Sequence, residues 1–278
     1  MRKTVLISAA LMMILVVTAA LTAGCGGGDS VFTTSGTTVM TAAQATTTTA
    51  PSTAPTTQPT VAKFEHTAGA AADLAQLAPP AAGEEIAVFE TTKGVIKMRL
   101  FPEQSPITVT NFKKLINSGY YNGVIFHRVI PDFMIQSGDP EGTGFGGEAY
   151  GGGTIEDELG KNLYNFRGAL SMANTGEPAS GGSQFFIVQT PNCQYTAEEL
   201  KELGYADWAA EKYAEIGGAP HLDGIYNAYI YPGYNGHTVF GQVFEGMSVV
   251  DAIVEVQTDS YDKPVEDITI TRAYLTKA

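Results

Sequence analysis

Arg128 is the residue whose type best suits chemistry on a bound substrate. It lies in the run 126–136, FHRVIPDFMIQ, where a few polar side chains are set among apolar ones. A guanidinium is always charged and presents several donors in a fixed plane, so it can stabilise charge that develops on a substrate. Taken alone, however, such an arginine is more often a surface residue in a salt bridge.

Several amide and imidazole side chains, within this run and beyond it, are further candidates for a site. Gln136, Asn174 and Gln184 lie in or beside apolar runs, as His127 and His237 do. A buried amide is costly unless it is hydrogen-bonded, so either a substrate or an internal partner must satisfy it. The four histidines lack the spacing of a metal site, and we expect neither a metal nor another cofactor.

Charge and glycine patterning argue against two classes of ligand. Residues 1–83 carry three basic and three acidic side chains, which leaves 13 of the 16 basic and 26 of the 29 acidic ones to residues 84–278. Such an acidic part is not expected to bind nucleic acid. The stretch 142–147, GTGFGG, is followed neither by Lys-Ser/Thr nor by a clear helix to receive a phosphate, so nucleotide binding is not expected either.

The N-terminus is typical of an exported protein. Residues 1–24 combine a positive start, an apolar stretch and small residues, which predicts a signal peptide. The residues before Cys25, TAG, resemble the end of a bacterial lipobox, so we expect Cys25 to be acylated and to anchor the chain in a membrane. An uncleaved anchor is the alternative, because the apolar stretch is long enough to span a bilayer.

Residues 25–83 are expected to form a disordered linker after the acylated cysteine. They are rich in Thr, Pro, Gly and Ala and poor in large apolar residues, so they cannot bury enough surface to fold. Within them, only 61–83 could form one short helix. The globular domain is then 84–278, whose single thiol, Cys193, is expected to be structural.

The pattern of the globular part is one of short strands separated by glycine. The runs 86–91 and 95–101 predict a hairpin, and 106–118 predicts a helix with Ser105 as its N-cap. Further strands are expected at 124–130, 133–136, 169–172, 184–188, 238–244 and 267–275, and a second helix at 247–256. Many short strands and two helices suggest a mainly β fold, a closed antiparallel barrel with helices over its ends.

Two insertions interrupt this pattern. The first, at about 194–219, is acidic and contains apolar residues at helical spacing within 196–216, so we expect one or two surface helices. The second, at 225–236, is rich in tyrosine and is expected to be an ordered loop. Both are candidates for docking a partner.

Several sequence blocks, in order, resemble the cyclophilin family of peptidyl-prolyl cis-trans isomerases. The first is 121–139, YNGVIFHRVIPDFMIQSGD, and the Gly-rich stretch 142–147 follows it. Segments 168–174, GALSMAN, and 183–187, SQFFI, are similar to central strands of that family, and 237–243, HTVFGQV, to a late strand. The resemblance covers about 85–276. It implies a closed antiparallel eight-stranded barrel capped by two helices, here with a helical surface insert.

The resemblance also implies an activity, the acceleration of cis-trans rotation about X-Pro bonds. Rotation costs about 18–20 kcal/mol because resonance is lost, yet no bond to the chain is broken, so neither nucleophile nor metal is needed. The enzyme must bind the twisted amide more strongly than the planar one. Arg128 is implied as the catalytic residue, stabilising the nitrogen lone pair. The implied substrate-binding residues are His127, Phe133, Met134, Gln136, Ala173, Asn174, Gln184, Phe186, Leu222 and His237.

A few residues depart from the family pattern. His221 stands before Leu222 where many members carry Trp, which argues against tight cyclosporin binding; Asp132 and Ser137 also differ. We expect a monomer that acts on proline-containing polypeptides, anchored in the cell membrane by its lipid with the domain outside the cytoplasm. A catalytically weak peptide-binding or chaperone module that uses the same groove is the alternative.

Overall fold

The computed structural model of the chain describes residues 75–159, 162–230 and 236–278. The predicted signal peptide, Cys25 and most of the predicted linker lie outside these residues. No helix among the described residues is long and apolar enough to cross a membrane.

Within the described residues, eight strands form one antiparallel sheet close to the predicted positions. The first two, β1 (Glu85–Thr91) and β2 (Gly94–Leu100), form the expected hairpin, in which Ile86 pairs with Arg99. The others are β3 (Arg128–Ile130), β4 (Met134–Ser137), β5 (Ala169–Met172), β6 (Phe185–Val188), β7 (Val239–Glu245) and β8 (Ile270–Lys277). The strand order is β3-β4-β6-β5-β7-β2-β1-β8. The predicted mainly β, eight-stranded antiparallel fold is confirmed.

The sheet curls into a half-barrel whose edge strands, β3 and β8, do not pair along a ladder. The chain just before β3 joins the chain just before β8 through a single bridge between Ile125 and Thr269. The N–H of Phe126 also donates to the carbonyl of Ile268 (2.9 Å). The prediction of a closed barrel is therefore overstated, and the predicted strand 124–130 is regular only over its last three residues.

Two helices cover the barrel core as predicted. They are α1 and α5 of the five α-helices in the described residues, which are α1 (Pro106–Asn117), α2 (Ala197–Glu202), α3 (Asp207–Ile216), α4 (Gly224–Ile230) and α5 (Met247–Val254). The apolar stripe of α1, with Val109, Phe112 and Ile116, is buried in the main core. Val250 and Ile253 of α5 are buried in the same core.

The start of α1 differs from the prediction. Ser105 occupies the N-cap position, but its hydroxyl donates to the carbonyl of Val239 (2.8 Å) and accepts from no N–H group of the helix. The carboxylate of Glu158 instead accepts from the N–H groups of Ile107 and Thr108 (3.1 and 2.8 Å). A carboxylate at this end also suits the positive pole of the helix.

The predicted helical insert is present as α2 and α3. Thr196 and Glu199 form a capping box at the start of α2. Leu200 and Tyr213 are buried together with Phe166 in a second apolar cluster, distinct from the main core. The insert therefore packs on a second core that it shares with Phe166 and its neighbours.

The prediction of a loop at 225–236 is wrong for its first half, which forms α4. The N–H of Asn227 donates to the carbonyl of Asp223 (3.1 Å) in the first turn. Tyr226 and Ile230 lie four residues apart, and both pack in the second cluster. This helical spacing is the signal that a prediction based on the number of tyrosines overlooks.

The predicted linker is too long at its C-terminal end, because residues 75–83 contact the domain. Gln76 is 2% exposed. Its amide nitrogen donates to the carbonyl of Tyr164 (2.7 Å), and its oxygen accepts from the N–H of the same residue (2.9 Å). The guanidinium of Arg99 donates to the carbonyl of Ala75 (2.6 Å). A glutamine this buried is tolerated only with such partners.

Candidate active site

Arg128 begins β3 and keeps its guanidinium largely uncommitted. Its side chain is 41% exposed. Within the described residues its one ion pair is with Asp262, at 3.8 Å between Nε and Oδ2, which is too long for a hydrogen bond. An exposed pair of this length contributes little, so the donors of Arg128 remain available to a substrate.

One row of paired residues across three strands carries the polar and apolar groups of the site. Gln136 of β4 pairs with Arg128 on one side and with Phe186 of β6 on the other. Directly paired residues of antiparallel strands point to the same face, about 5 Å apart. Their chain neighbours Ile135 and Ile187 point into the main core. One face of β4 and β6 therefore fills the barrel while the other builds the site.

An apolar cluster, called the socket below, lies on this outer face. Met134, Phe186 and Leu222 are 2, 4 and 7% exposed and belong to one cluster. Phe133 packs against this cluster and is only partly buried. The structure thus brings together the four residues predicted to surround a proline ring.

Two histidines border the socket. The ring of His237 meets that of Phe186 edge-on, with 5.1 Å between centroids, and its Nδ1 lies 3.0 Å from the carbonyl oxygen of Met172. The ring of His221 lies 5.5 Å from that of Phe133. Burial lowers the pKa of both histidines, that of His221 to about 4. Both are therefore neutral near pH 7 and suited to packing.

His127 is buried to about the same degree as the walls of the socket. It is 5% exposed and lies beside Gly144 of the Gly-rich stretch. Neither ring nitrogen has a hydrogen-bond partner, and burial lowers its pKa. Its predicted role in substrate binding stays a prediction.

The two glutamines predicted to hold a substrate backbone are bonded to each other. The amide nitrogen of Gln136 donates to the oxygen of Gln184 (2.8 Å). The nitrogen of Gln184 donates to the carbonyls of Gly144 and Gly146 (3.0 and 2.7 Å). Gln184 thus has the partners that the internal alternative requires and ties the Gly-rich stretch to β4, while its predicted contact with a substrate stays a prediction.

Ala173 and Asn174 follow β5 at the rim of the site. The N–H of Ala173 donates to the backbone carbonyl of Gln184 (3.0 Å), so only its carbonyl could serve a substrate. The amide nitrogen of Asn174 donates to the carbonyl of Gly236 (2.9 Å). A cavity of about 630 Å³ adjoins this rim, and Phe145, 97% exposed, lies at its edge. The predicted contacts of Ala173 and Asn174 with a substrate backbone stay predictions.

Asp139 organises the Gly-rich stretch and is a residue that sequence reasoning passed over. It is fully buried, and its carboxylate accepts from the N–H groups of Glu141, Thr143, Gly144 and Gly146 and from the hydroxyl of Thr143. Burial acts to raise its pKa, but these bonds outweigh it and lower the pKa to about 2. Its position just before a Pro-Glu-Gly turn is the signal that could have revealed it.

The arrangement of Asp139 also explains why the Gly-rich stretch is no phosphate cradle. The backbone N–H groups that a phosphate would need already face this carboxylate. Among the described residues, no group of three or more His, Cys, Asp or Glu side chains could hold a metal ion.

Comparison with known proteins assigns the class. Residues 86–275 match the family described as "Cyclophilin type peptidyl-prolyl cis-trans isomerase/CLD". A putative peptidyl-prolyl cis-trans isomerase of Staphylococcus aureus is 44% identical over 189 residues, which are 68% of this chain and 90% of that protein. A putative bifunctional phosphatase/peptidyl-prolyl cis-trans isomerase of Streptococcus pyogenes is 49% identical over 184 residues, 66% of this chain. The chain matches only 37% of the length of that streptococcal protein.

Solved structures agree. A cyclophilin type peptidyl-prolyl cis-trans isomerase of Cryptosporidium parvum is 30% identical, with a TM-score of 0.54, and the match covers 70% of this chain and 98% of that one. A structure of the same protein in the presence of the dipeptide Ala-Pro matches equally well, with a TM-score of 0.54.

The half-barrel fold and these matches define an isomerase of X-Pro bonds. The chain belongs to the cyclophilin-type peptidyl-prolyl cis-trans isomerase family, and the predicted enzyme class is confirmed.

Proposed function

We propose that this chain accelerates X-Pro rotation in exported proteins, with Arg128 as its catalytic residue. The observation that carries the proposal is the cross-strand row in which Gln136 separates Arg128 from Phe186. An uncommitted cation therefore lies within two strand spacings, about 10 Å, of an apolar socket on the same face. The Cryptosporidium parvum structure in the presence of Ala-Pro supports an X-Pro dipeptide as the substrate class.

The socket binds the proline ring, and the charge of Arg128 acts on the amide that precedes it. An apolar site disfavours the charge-separated planar amide relative to the twisted one. On twisting, the amide nitrogen regains its lone pair, and a guanidinium donor directed at that nitrogen stabilises the twisted form alone. The carbonyl of Ala173 and the amides of Gln136 and Asn174 hold the backbone before the proline.

The catalytic proposal is tested by the cis-trans exchange rate of an X-Pro peptide, measured by NMR exchange spectroscopy. We expect Arg128→Ala to lower kcat/KM by about 100- to 1000-fold, the loss usual for removing one preorganised donor. Arg272→Ala is the matched control, because Arg272 is also an exposed strand arginine with an ion pair near 4 Å, to Glu90 (3.9 Å).

Two outcomes would contradict the proposal. If wild type exchanges the peptide no faster than buffer, the chain is the alternative peptide-binding or chaperone module. If Arg128→Ala equals wild type, the enzyme uses another group. Broadening of the NMR signals of the socket residues when the peptide is added distinguishes binding without turnover from no binding.

The tether is a second part of the proposal. The lipobox-like residues before Cys25 support acylation of that cysteine, which places the domain at the outer side of the cell membrane on a spacer. Mass spectrometry of the mature N-terminus should find an acylated Cys25, and Cys25→Ser should release the protein from membranes. An unmodified Met1 terminus contradicts the lipoprotein assignment.

A further inference from the structure

Asp223 is a buried carboxylate that no step of the isomerisation uses. It is 4% exposed and directly follows Leu222, a wall of the socket. Its Oδ1 accepts from the N–H and the side-chain amide of Asn165, both at 2.8 Å. Its Oδ2 accepts from the hydroxyls of Tyr205 and Tyr213, at 2.9 and 2.6 Å, and the hydroxyl of Tyr205 also lies 3.0 Å from the carbonyl oxygen of Pro220. Four donors therefore satisfy this carboxylate, two of them tyrosine hydroxyls.

Both tyrosines belong to the helical insert. Tyr213 lies in α3 and Tyr205 between α2 and α3, and they are 0 and 4% exposed. Burial raises the pKa of each phenol well above its usual value, with the negative charge of Asp223 acting in the same direction. The hydroxyls therefore keep their protons and remain donors at any pH at which the protein works.

The bonds to Oδ2 decide whether the carboxylate can stay where it is. Burial raises the pKa of Asp223 to about 6 even though its four donors act to lower it, so it is ionised near pH 7. A buried charge with half of its donors removed is strongly destabilised and moves towards water or takes up a proton. Because Leu222 is the preceding residue, with its Cα about 3.8 Å away, the wall of the socket moves too.

The chain around Leu222 packs closely against residues 236 and 237, so a shift of Leu222 is transmitted to them. The carbonyl of Leu222 accepts from the N–H of His237 (2.9 Å), and a Cβ at Gly236 would lie 2.7 Å from that carbonyl oxygen. A movement of Asp223 therefore passes to Leu222 and to His237, two residues that border the socket.

We propose that Asp223 is a positioning residue through which Tyr205 and Tyr213 of the insert hold Leu222 at the socket. The inference rests on the proposed function of that socket. It gives the insert a part in substrate binding, whereas its acidic surface helices alone suggested a docking element.

The test removes the two hydroxyls and leaves the rings, because Asp223→Ala risks unfolding the chain. In the full chain, Tyr205→Phe/Tyr213→Phe should lower kcat/KM for an X-Pro peptide about tenfold, chiefly by raising KM. The Leu222 methyl resonances should shift in spectra of the free protein. Trp208, the single tryptophan, packs on Tyr164 of the second cluster (5.3 Å between ring centroids), and its unchanged emission should show that the insert stays folded.

Tyr195→Phe is the matched control. Its hydroxyl bonds that of Tyr226 (2.7 Å) near the same cluster without touching Asp223, so kcat/KM should stay within about twofold of wild type. Equal losses in the control and in the double variant would overturn the inference, as would unchanged Leu222 resonances and kinetics in the double variant. A wild-type exchange rate equal to that of buffer would instead contradict the proposed function. In that case, the shift of the Leu222 resonances in the double variant would still show whether Asp223 positions Leu222.

Discussion

Two charged side chains beside the groove, Arg128 and Asp139, are held in opposite ways. Arg128 is 41% exposed and has one long ion pair, at 3.8 Å. Asp139 is fully buried and accepts from four backbone N–H groups and one hydroxyl. A group that acts on a substrate keeps its hydrogen-bonding capacity unused, whereas a group that shapes the rim has used its capacity within the fold. Stability should therefore depend on Asp139 and activity on Arg128.

The largest effect on stability is expected from Asp139→Asn. The amide keeps one acceptor oxygen but turns N–H donors towards other donors, and bonds to a charged acceptor contribute about 1.5–3 kcal/mol each. We expect the free energy of unfolding in urea at pH 7 to fall by about 3 kcal/mol. Asp259→Asn is the control, because Asp259 accepts from the N–H groups of Tyr261 and Lys263 in an exposed loop. Similar losses in both variants would contradict the contrast.

Acid should weaken the same contacts. The folded pKa of Asp139, about 2, lies below the ordinary unfolded value of about 3.9, so its contribution is complete above about pH 4 and is lost as the pH falls through about 2. The free energies of unfolding of wild type and Asp139→Asn should therefore converge between pH 5 and pH 2. Urea titrations across this range measure it, and parallel curves would show that Asp139 does not titrate as described.

Gln184→Ala should affect activity more than stability. It frees the carbonyls of Gly144 and Gly146 and removes the partner of Gln136, so the rim and the cross-strand row both lose support. We expect kcat/KM to fall about tenfold, with a loss of about 1 kcal/mol in the free energy of unfolding.

A matched variant, Gln242→Ala, distinguishes the loss of support for the rim from the loss of any buried amide. Gln242 also accepts from another glutamine, Gln76 (3.1 Å), and donates to the carbonyl of Arg167 (2.8 Å). Gln242→Ala should cost similar stability but leave kcat/KM within about twofold. If the two variants lose activity equally, Gln184 has no special role at the groove.

Most of the fold could be predicted because its signals are local. The hairpin of β1 and β2 and the bounds of β5 follow from short apolar runs next to glycine, and the buried stripe of α1 follows from a period of 3.6 residues. Two of the errors occur where a distant residue supplies a hydrogen bond. Glu158 caps α1 in place of Ser105, and Tyr164 holds Gln76 inside the domain.

The site divides in the same way. Alternation along β4 is enough to place Met134 and Gln136 on one face, whereas the register between β4 and β6 adds Phe186 to it. Which partner satisfies a buried polar group is a tertiary fact, so Gln184 could be read as either a substrate ligand or a support. The turn after Asp139 indicates that its carboxylate bonds nearby backbone, but its complete burial and the bonds from Gly144 and Gly146 are tertiary facts too.

The smallest effect is expected at the ion pair of Arg128. Asp262 has a positive φ of 63°, a conformation that asparagine tolerates, so Asp262→Asn removes the charge and keeps the backbone. An exposed pair of this kind is worth about 0–1 kcal/mol and is screened by salt. We expect kcat/KM to rise by at most about threefold at low ionic strength, because Asp262 no longer offsets the charge of the guanidinium that acts on the substrate. In about 0.5 M salt, kcat/KM of the variant should equal that of wild type. A loss of tenfold or more would mean that Asp262 orients Arg128, and the contrast between a free cation and a fully bonded carboxylate would fail.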